Sequence, residues 1–128
     1  MNDALLDTTV LVDYMRERQD AVAFVEALKK APAASVVSLM ELMAGARSRR
    51  EETEIFLPER TIKFLPVTSE IAKRAGVLLK HYRASHNIDD PDAIIAATAE
   101  RHGLELATLN VKHFPMFPRL KPPYSPAG

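Results

Sequence analysis

Short apolar runs alternate along the chain with longer stretches of helical spacing. Ala4-Leu5-Leu6 is a compact apolar run that predicts a strand, and after Asp7 the residues Val10, Leu11, Tyr14 and Met15 recur on one side of a helix. Asp20 is expected to cap a second helix carrying Ala21, Phe24, Val25 and Leu28 on its buried side, with Pro32 ending it. Ala33 to Val37 predicts a second buried strand, and Ser38-Leu39-Met40-Glu41 has the spacing of a capping box that opens the next helix. That helix is expected to run through Ala44 and Ala46 into the charged stretch Arg47 to Glu54, with a break at Pro58 and a third strand at Thr61 to Leu65.

Thr68 can cap a helix whose inner side holds Ile71, Ala75, Leu78 and Tyr82, with His86-Asn87 as its exit. In Asp90-Pro91-Asp92 the first residue suits an N-cap and proline suits the first turn. Ala93 to Ala99 is then apolar around most of its circumference, so this helix should be central. Gly103 is a natural stop, and Leu104 to Thr108 predicts a fourth strand leading to Asn110. Phe114 to Gly128, with five prolines, reads as a surface strap ending in a flexible tail over residues 119–128. Strands separated by helices predict an α/β fold: a central parallel sheet of four to five strands in three layers, with helices on both faces.

Composition narrows the function. The 128 residues, 47% of them hydrophobic, suit one domain over residues 1–128. Seventeen basic residues balance 17 acidic ones, so net attraction does not hold a nucleic acid; local charge must. Cysteine is absent, which removes disulfides, thiolate metal sites and cysteine nucleophiles. Without a basic leader or an uncharged apolar stretch near the roughly 18 residues of a membrane span, a soluble cytoplasmic protein with no membrane partner is expected.

In such a sheet the junctions after strands line the carboxyl edge, where open α/β proteins bind ligands. Asp7 follows the first strand, Glu41 follows the second, and Asp92 starts a helix that runs back toward the fourth, so all three acids can reach that edge. Each has a plain structural role as a helix cap or a complement to a helix dipole. Clustered beside apolar strands, however, three carboxylates repel one another and lose solvation, which capping does not require. Mg²⁺ takes oxygen ligands and keeps several waters, so it would relieve that repulsion. A metal so held supports phosphodiester hydrolysis.

Four segments carry a resemblance: Leu5-Leu6-Asp7-Thr8-Thr9-Val10-Leu11-Val12-Asp13; Ser38-Leu39-Met40-Glu41-Leu42-Met43-Ala44-Gly45; Asp92-Ala93-Ile94-Ile95-Ala96-Ala97-Thr98-Ala99; and Thr108-Leu109-Asn110-Val111-Lys112-His113-Phe114. Together they resemble a PIN domain, and specifically the VapC ribonuclease toxins of type II toxin–antitoxin systems. The resemblance implies a PIN-like fold and a toxic endoribonuclease using Mg²⁺ or Mn²⁺. It implies Asp7, Glu41 and Asp92 as the catalytic and metal-binding acids, with Asp7 and Asp92 as direct ligands and Glu41 either binding the metal through water or orienting the nucleophilic water. Thr8, Thr108 and Asn110 are supporting residues, and Thr8 or Thr9 can bond a carboxylate or phosphate. Many PIN domains carry a fourth acid near the last strand, where this chain has Asn110 and His113.

The resemblance also implies an RNA substrate, a cognate VapB-like antitoxin, operator DNA bound only through the toxin–antitoxin complex, and a homodimer. Glu51 to Leu57 is one place for an interface. With the three site acids set aside, 17 basic side chains face 14 acidic ones, and Arg47, Arg49, Arg50 and Lys112 are placed to flank the cleft and meet phosphates. Two other readings compete. A phosphatase or receiver-like α/β domain fits less well, because Asp7-Thr8-Thr9 lacks an acid two positions after Asp7 and no receiver lysine follows the fourth strand. A catalytically silent PIN-like binding module would use the acids only as caps.

Overall fold

The computed structural model describes residues 3–55 and 62–126. Four strands, β1 (Ala4–Leu6), β2 (Ala33–Ser35), β3 (Lys63–Leu65) and β4 (Glu105–Ala107), form one sheet in the order β3-β2-β1-β4. Every pairing is parallel, with Leu5 opposite Ala33 on one side and Leu106 on the other. The helices are α1 (Thr8–Met15), α2 (Gln19–Glu26), α3 (Val36–Gly45), α4 (Arg49–Glu54), α5 (Ser69–His86) and α6 (Asp90–His102), with a 3-10 turn at Val111–His113.

Successive strand side chains point to opposite faces, and this divides the core. Leu5, Ala33, Leu65 and Leu106 join α5, α6 and Phe114 in one apolar layer, while Leu6, Ala34 and Ala107 pack with Val10, Leu11, Val25 and Leu42 in the other. The sheet is therefore covered on both faces, as the alternating pattern predicts, and β1, flanked by a strand on each side, is wholly buried. Burying a side chain such as Leu5 or Leu6 is worth about 1.5–3 kcal/mol. Helix α6 is the central one: Ala93, Ile95, Ala96, Ala97, Thr98 and Ala99 are all buried. It lies antiparallel to α5, fastened outside by the pairs Arg101–Glu70, Arg74–Glu100 and Arg83–Asp90, which are solvent-facing and contribute little each.

Several boundaries differ from the sequence expectation. Helix α2 is entered at Arg18, and Asp20 sits in its first turn rather than capping it. The second strand ends at Ser35, whose hydroxyl accepts the Val37 N–H and caps α3, so Ser38 and Glu41 are not a capping box but lie inside the helix. The cause is burial, since starting the helix at Val36 turns Val37, Ser38 and Leu42 inward. Helix α3 does not continue into the charged stretch. Ala46 is extended, Ser48 caps α4 through the Glu51 N–H, and α4 is a separate short helix. Asp89, not Asp90, caps α6, with Asp92 returning the bond to complete a capping box.

Thr68 caps α5 and Asn87 ends it in the left-handed conformation, as expected. Gly103, at φ 63°, ends α6 in a backbone shape that glycine adopts without the Cβ penalty. The third strand is described from Lys63; Thr61, Pro58, Leu57 and Phe56 lie outside the described residues. No helix among the described residues is long and apolar enough to cross a membrane.

Beyond β4, Phe114 is buried in the core and Met116, Phe117 and Leu120 pack on the same layer. The stretch read from its prolines as a tail makes specific contacts up to Ser125. Tyr124 donates to Asp13 at 2.8 Å, and Arg18 donates to the Ser125 carbonyl at 2.5 Å while lying over the Tyr124 ring. Burial and the Asp13 carboxylate raise the Tyr124 phenol well above its ordinary range.

Candidate active site

Asp7 leaves the end of β1 with its N–H bonded to the Ala107 carbonyl, so the β1–β4 pairing fixes its backbone. Its side chain is 3% exposed and caps α1. One oxygen, Oδ1, accepts the Thr8 N–H at 2.8 Å; the other, Oδ2, accepts the hydroxyls of Thr108 at 2.6 Å and Thr9 at 3.1 Å. The two threonines are themselves held, Thr108 by the Asn110 N–H and Thr9 by the Leu109 N–H. Burial raises the pKa of this carboxyl, and the bonds from Thr108, Thr8 and Thr9 oppose that rise.

Glu41 reaches the same edge from α3, half-buried, with Oε1 accepting the Thr8 hydroxyl at 2.5 Å. Thr8 also meets the Ser38 hydroxyl at 2.9 Å. Desolvation raises the Glu41 pKa, the Thr8 bond lowers it, and the charges of Asp7 and Asp89 raise it further. Asp92, in the first turn of α6, is pushed up to about 7, first by desolvation and then by Asp89 and Asp7. The antiparallel run of α6 brings its N-terminus to the edge where β4 ends, and His113, in the turn after β4, lies with Nδ1 3.2 Å from Asp92 Oδ2.

Asp7 thus stands close enough to both Glu41 and Asp92 at this edge for its charge to raise their proton affinity. Among the described residues, however, no three His, Cys, Asp or Glu side chains stand close enough to grip one ion together. The donors are hard oxygens whose charge is costly in this setting, which fits a divalent cation that retains much of its water. Asp7 has three of its roughly four acceptor positions taken by protein donors, which limits it to a single further contact.

Thr8 and Thr108 both bond the acids, whereas the Asn110 side chain is exposed and makes no hydrogen bond among the described residues. His113 is the group that approaches from that turn. Ser38 and Thr9 also belong to the web; Ser38 was hidden because Ser-x-x-Glu reads equally as a helix start. Of the flanking bases, Arg47 and Arg50 are engaged by Glu51 and Glu54 on the surface of α4, while Arg49 and Lys112 are exposed. Asp13 takes Arg18 and Tyr124. A cavity of about 240 Å³ opens beside Glu41, walled by Val12, Met15, Leu42 and Ile55 with Arg16 at its side.

Comparison with known proteins identifies the family. The PIN domain family matches residues 4–117. The chain is 45% identical to the ribonuclease VapC10 of Mycobacterium tuberculosis over 97% of its own length and 95% of that protein. It is 44% identical to ribonuclease VapC19 of the same organism, over 94% and 98% of the two chains. A solved toxin–antitoxin complex from Klebsiella pneumoniae contains a chain that superposes with a TM-score of 0.80 at 35% identity, covering 96% of this chain and 99% of that one. With an all-parallel four-stranded sheet, an acidic carboxyl edge and relatives of this closeness, the chain belongs to the PIN domain family and, within it, to the VapC ribonucleases.

Proposed function

We propose that this protein is the toxin of a type II toxin–antitoxin pair, a metal-dependent endoribonuclease that hydrolyses RNA phosphodiester bonds at the edge holding Asp7, Glu41 and Asp92. The carrying observation is that three acids from three separate elements share one sheet edge at raised proton affinity, with Asp7 and Glu41 held by threonine hydroxyls and Asp92 by the Asp89 N–H beside His113. Asp7 and Asp92 would hold the cation, Mg²⁺ or Mn²⁺. Bound there, it supplies Lewis-acid stabilisation of charge on the phosphate and eases deprotonation of water.

The chain's own residues supply position and proton transfer. Thr108, Thr9 and the Thr8 N–H fix Asp7 so that its remaining acceptor position is on Oδ1. Thr8 occupies Glu41 Oε1, leaving Oε2 to take the proton of the attacking water, and a carboxylate of raised pKa is the better base for it. Attack forms the new O–P bond as the bond to the leaving sugar oxygen breaks, and that oxygen takes its proton from solvent. Lys112, exposed in the turn that carries His113, and Arg49, exposed on α4, are the basic side chains that would meet phosphates.

We read the whole chain, 1–128, as one PIN domain working in the cytoplasm as a homodimer. The partner is a VapB-like antitoxin, and operator DNA is met only through the joint complex. The test is expression of the wild-type chain and Asp7→Asn without antitoxin. Wild type should arrest growth and fragment RNA in a Mg²⁺-dependent way, and Asp7→Asn should do neither while remaining folded. Cleavage that survives excess EDTA, or an active Asp7→Asn protein, would overturn the mechanism.

A further inference from the structure

Ser38 uses its hydroxyl in a way that neither capping nor helix geometry requires. It is fully buried in the first turn of α3, where a serine ordinarily returns its hydrogen to a carbonyl three or four residues back. Its Oγ instead lies 2.9 Å from Thr8 Oγ1 on a different helix. Thr8 has one hydroxyl hydrogen, and that hydrogen is given to Glu41 Oε1. The Thr8 oxygen must therefore accept, which makes Ser38 the donor. Ser38 and Glu41, three residues apart on one face of α3, hold the α1 threonine between them in a chain with one direction: Ser38 to Thr8 to Glu41.

We infer that Ser38 is a positioning residue for RNA cleavage: it locks the Thr8 hydroxyl in the rotamer that engages Glu41 Oε1 and so keeps Glu41 Oε2 turned to the reacting water. The inference rests on the nuclease reading above. In helices a threonine divides between two χ1 rotamers, so Thr8, half-exposed at the start of α1, needs an outside contact to hold one. Ser38 has no exposed surface and touches no RNA, so its effect falls on turnover and not on substrate binding.

The test compares wild type, Ser38→Ala, Thr8→Val and the double variant on a short oligoribonucleotide spanning a cleavage site mapped with the wild-type chain. Ser38→Ala should lower kcat about fivefold, the size of one neutral hydrogen bond, with KM unchanged. Thr8→Val should lower kcat at least as far, and adding Ser38→Ala to it should cost nothing more. Independently of activity and metal, three-bond couplings at Thr8 should report one χ1 rotamer in the wild-type protein and averaging in Ser38→Ala. Multiplying losses in the double variant, or a Thr8 rotamer that stays fixed without Ser38, would overturn the inference. A wild-type chain that cleaves no RNA would defeat the nuclease reading instead, and the Thr8 couplings would still decide whether Ser38 governs Thr8.

Discussion

Asp92 has an ordinary carboxyl pKa of 3.8 in the unfolded chain and one of about 7 in the folded protein, because it is desolvated and faces Asp89 and Asp7, with His113 as its basic neighbour. Between those values the native state binds a proton that the unfolded state has released. Stability of the metal-free protein should therefore fall as pH rises from about 4 to about 7 and level off above. Asp92→Asn should melt with the wild type at pH 4 and a few degrees higher at pH 8 in EDTA, since asparagine can still accept the Asp89 N–H. Calorimetry at the two pH values checks this, and a difference that does not change with pH would contradict it. At this scale the acids themselves were legible in the sequence, because strand-then-acid and acid-then-helix junctions point to one edge. The contacts of Ser38 and His113 were not: Ser38 meets Thr8 from 30 positions away and His113 meets Asp92 from 21, and no local pattern records such a meeting.

Short elements make boundaries a contest between neighbouring signals. Ser35 and Ser38 both suit a helix start, as do Asp89 and Asp90. In each case the earlier residue caps, and the choice turns the apolar positions that follow into the core. Periodicity finds the helix but leaves its first residue open by one to three positions. The gap between α3 and α4 has no proline to announce it; Gly45 and the Ser48 cap are the only marks. The turn between α1 and α2 offers a test of its own, because Glu17 holds φ 60°, a left-handed shape unfavourable to a residue with a Cβ. Glu17→Gly should stabilise the fold by about 0.5 kcal/mol, the relief of that strain less the added entropy of the unfolded chain. Urea unfolding measures it, and a destabilised variant would mean that the Glu17 side chain matters more than its backbone.

Fold class and the two-faced sheet follow from alternation along the chain, but the order β3-β2-β1-β4 is a property of the assembled molecule. So is the closing strap. Five prolines suggest a chain end with little to hold it, yet Tyr124 and Ser125 are bonded to Asp13 and Arg18 beside the α1–α2 turn. Tyr124→Phe should cost about 1 kcal/mol, the value of one hydrogen bond, while cleavage continues unchanged. Equilibrium unfolding alongside an RNA assay tests both halves, and an unchanged stability would mean that the strap is not fastened in solution. The same long reach has a consequence for synthesis. Thr108 bonds Asp7 from 101 positions along the chain, and contacts between such distant parts of a chain close late. A polypeptide growing from its N-terminus has exposed Asp7 long before β4 exists to dock beside it. The ribosome that translates this message therefore faces no competent nuclease in its own nascent product until that last strand arrives.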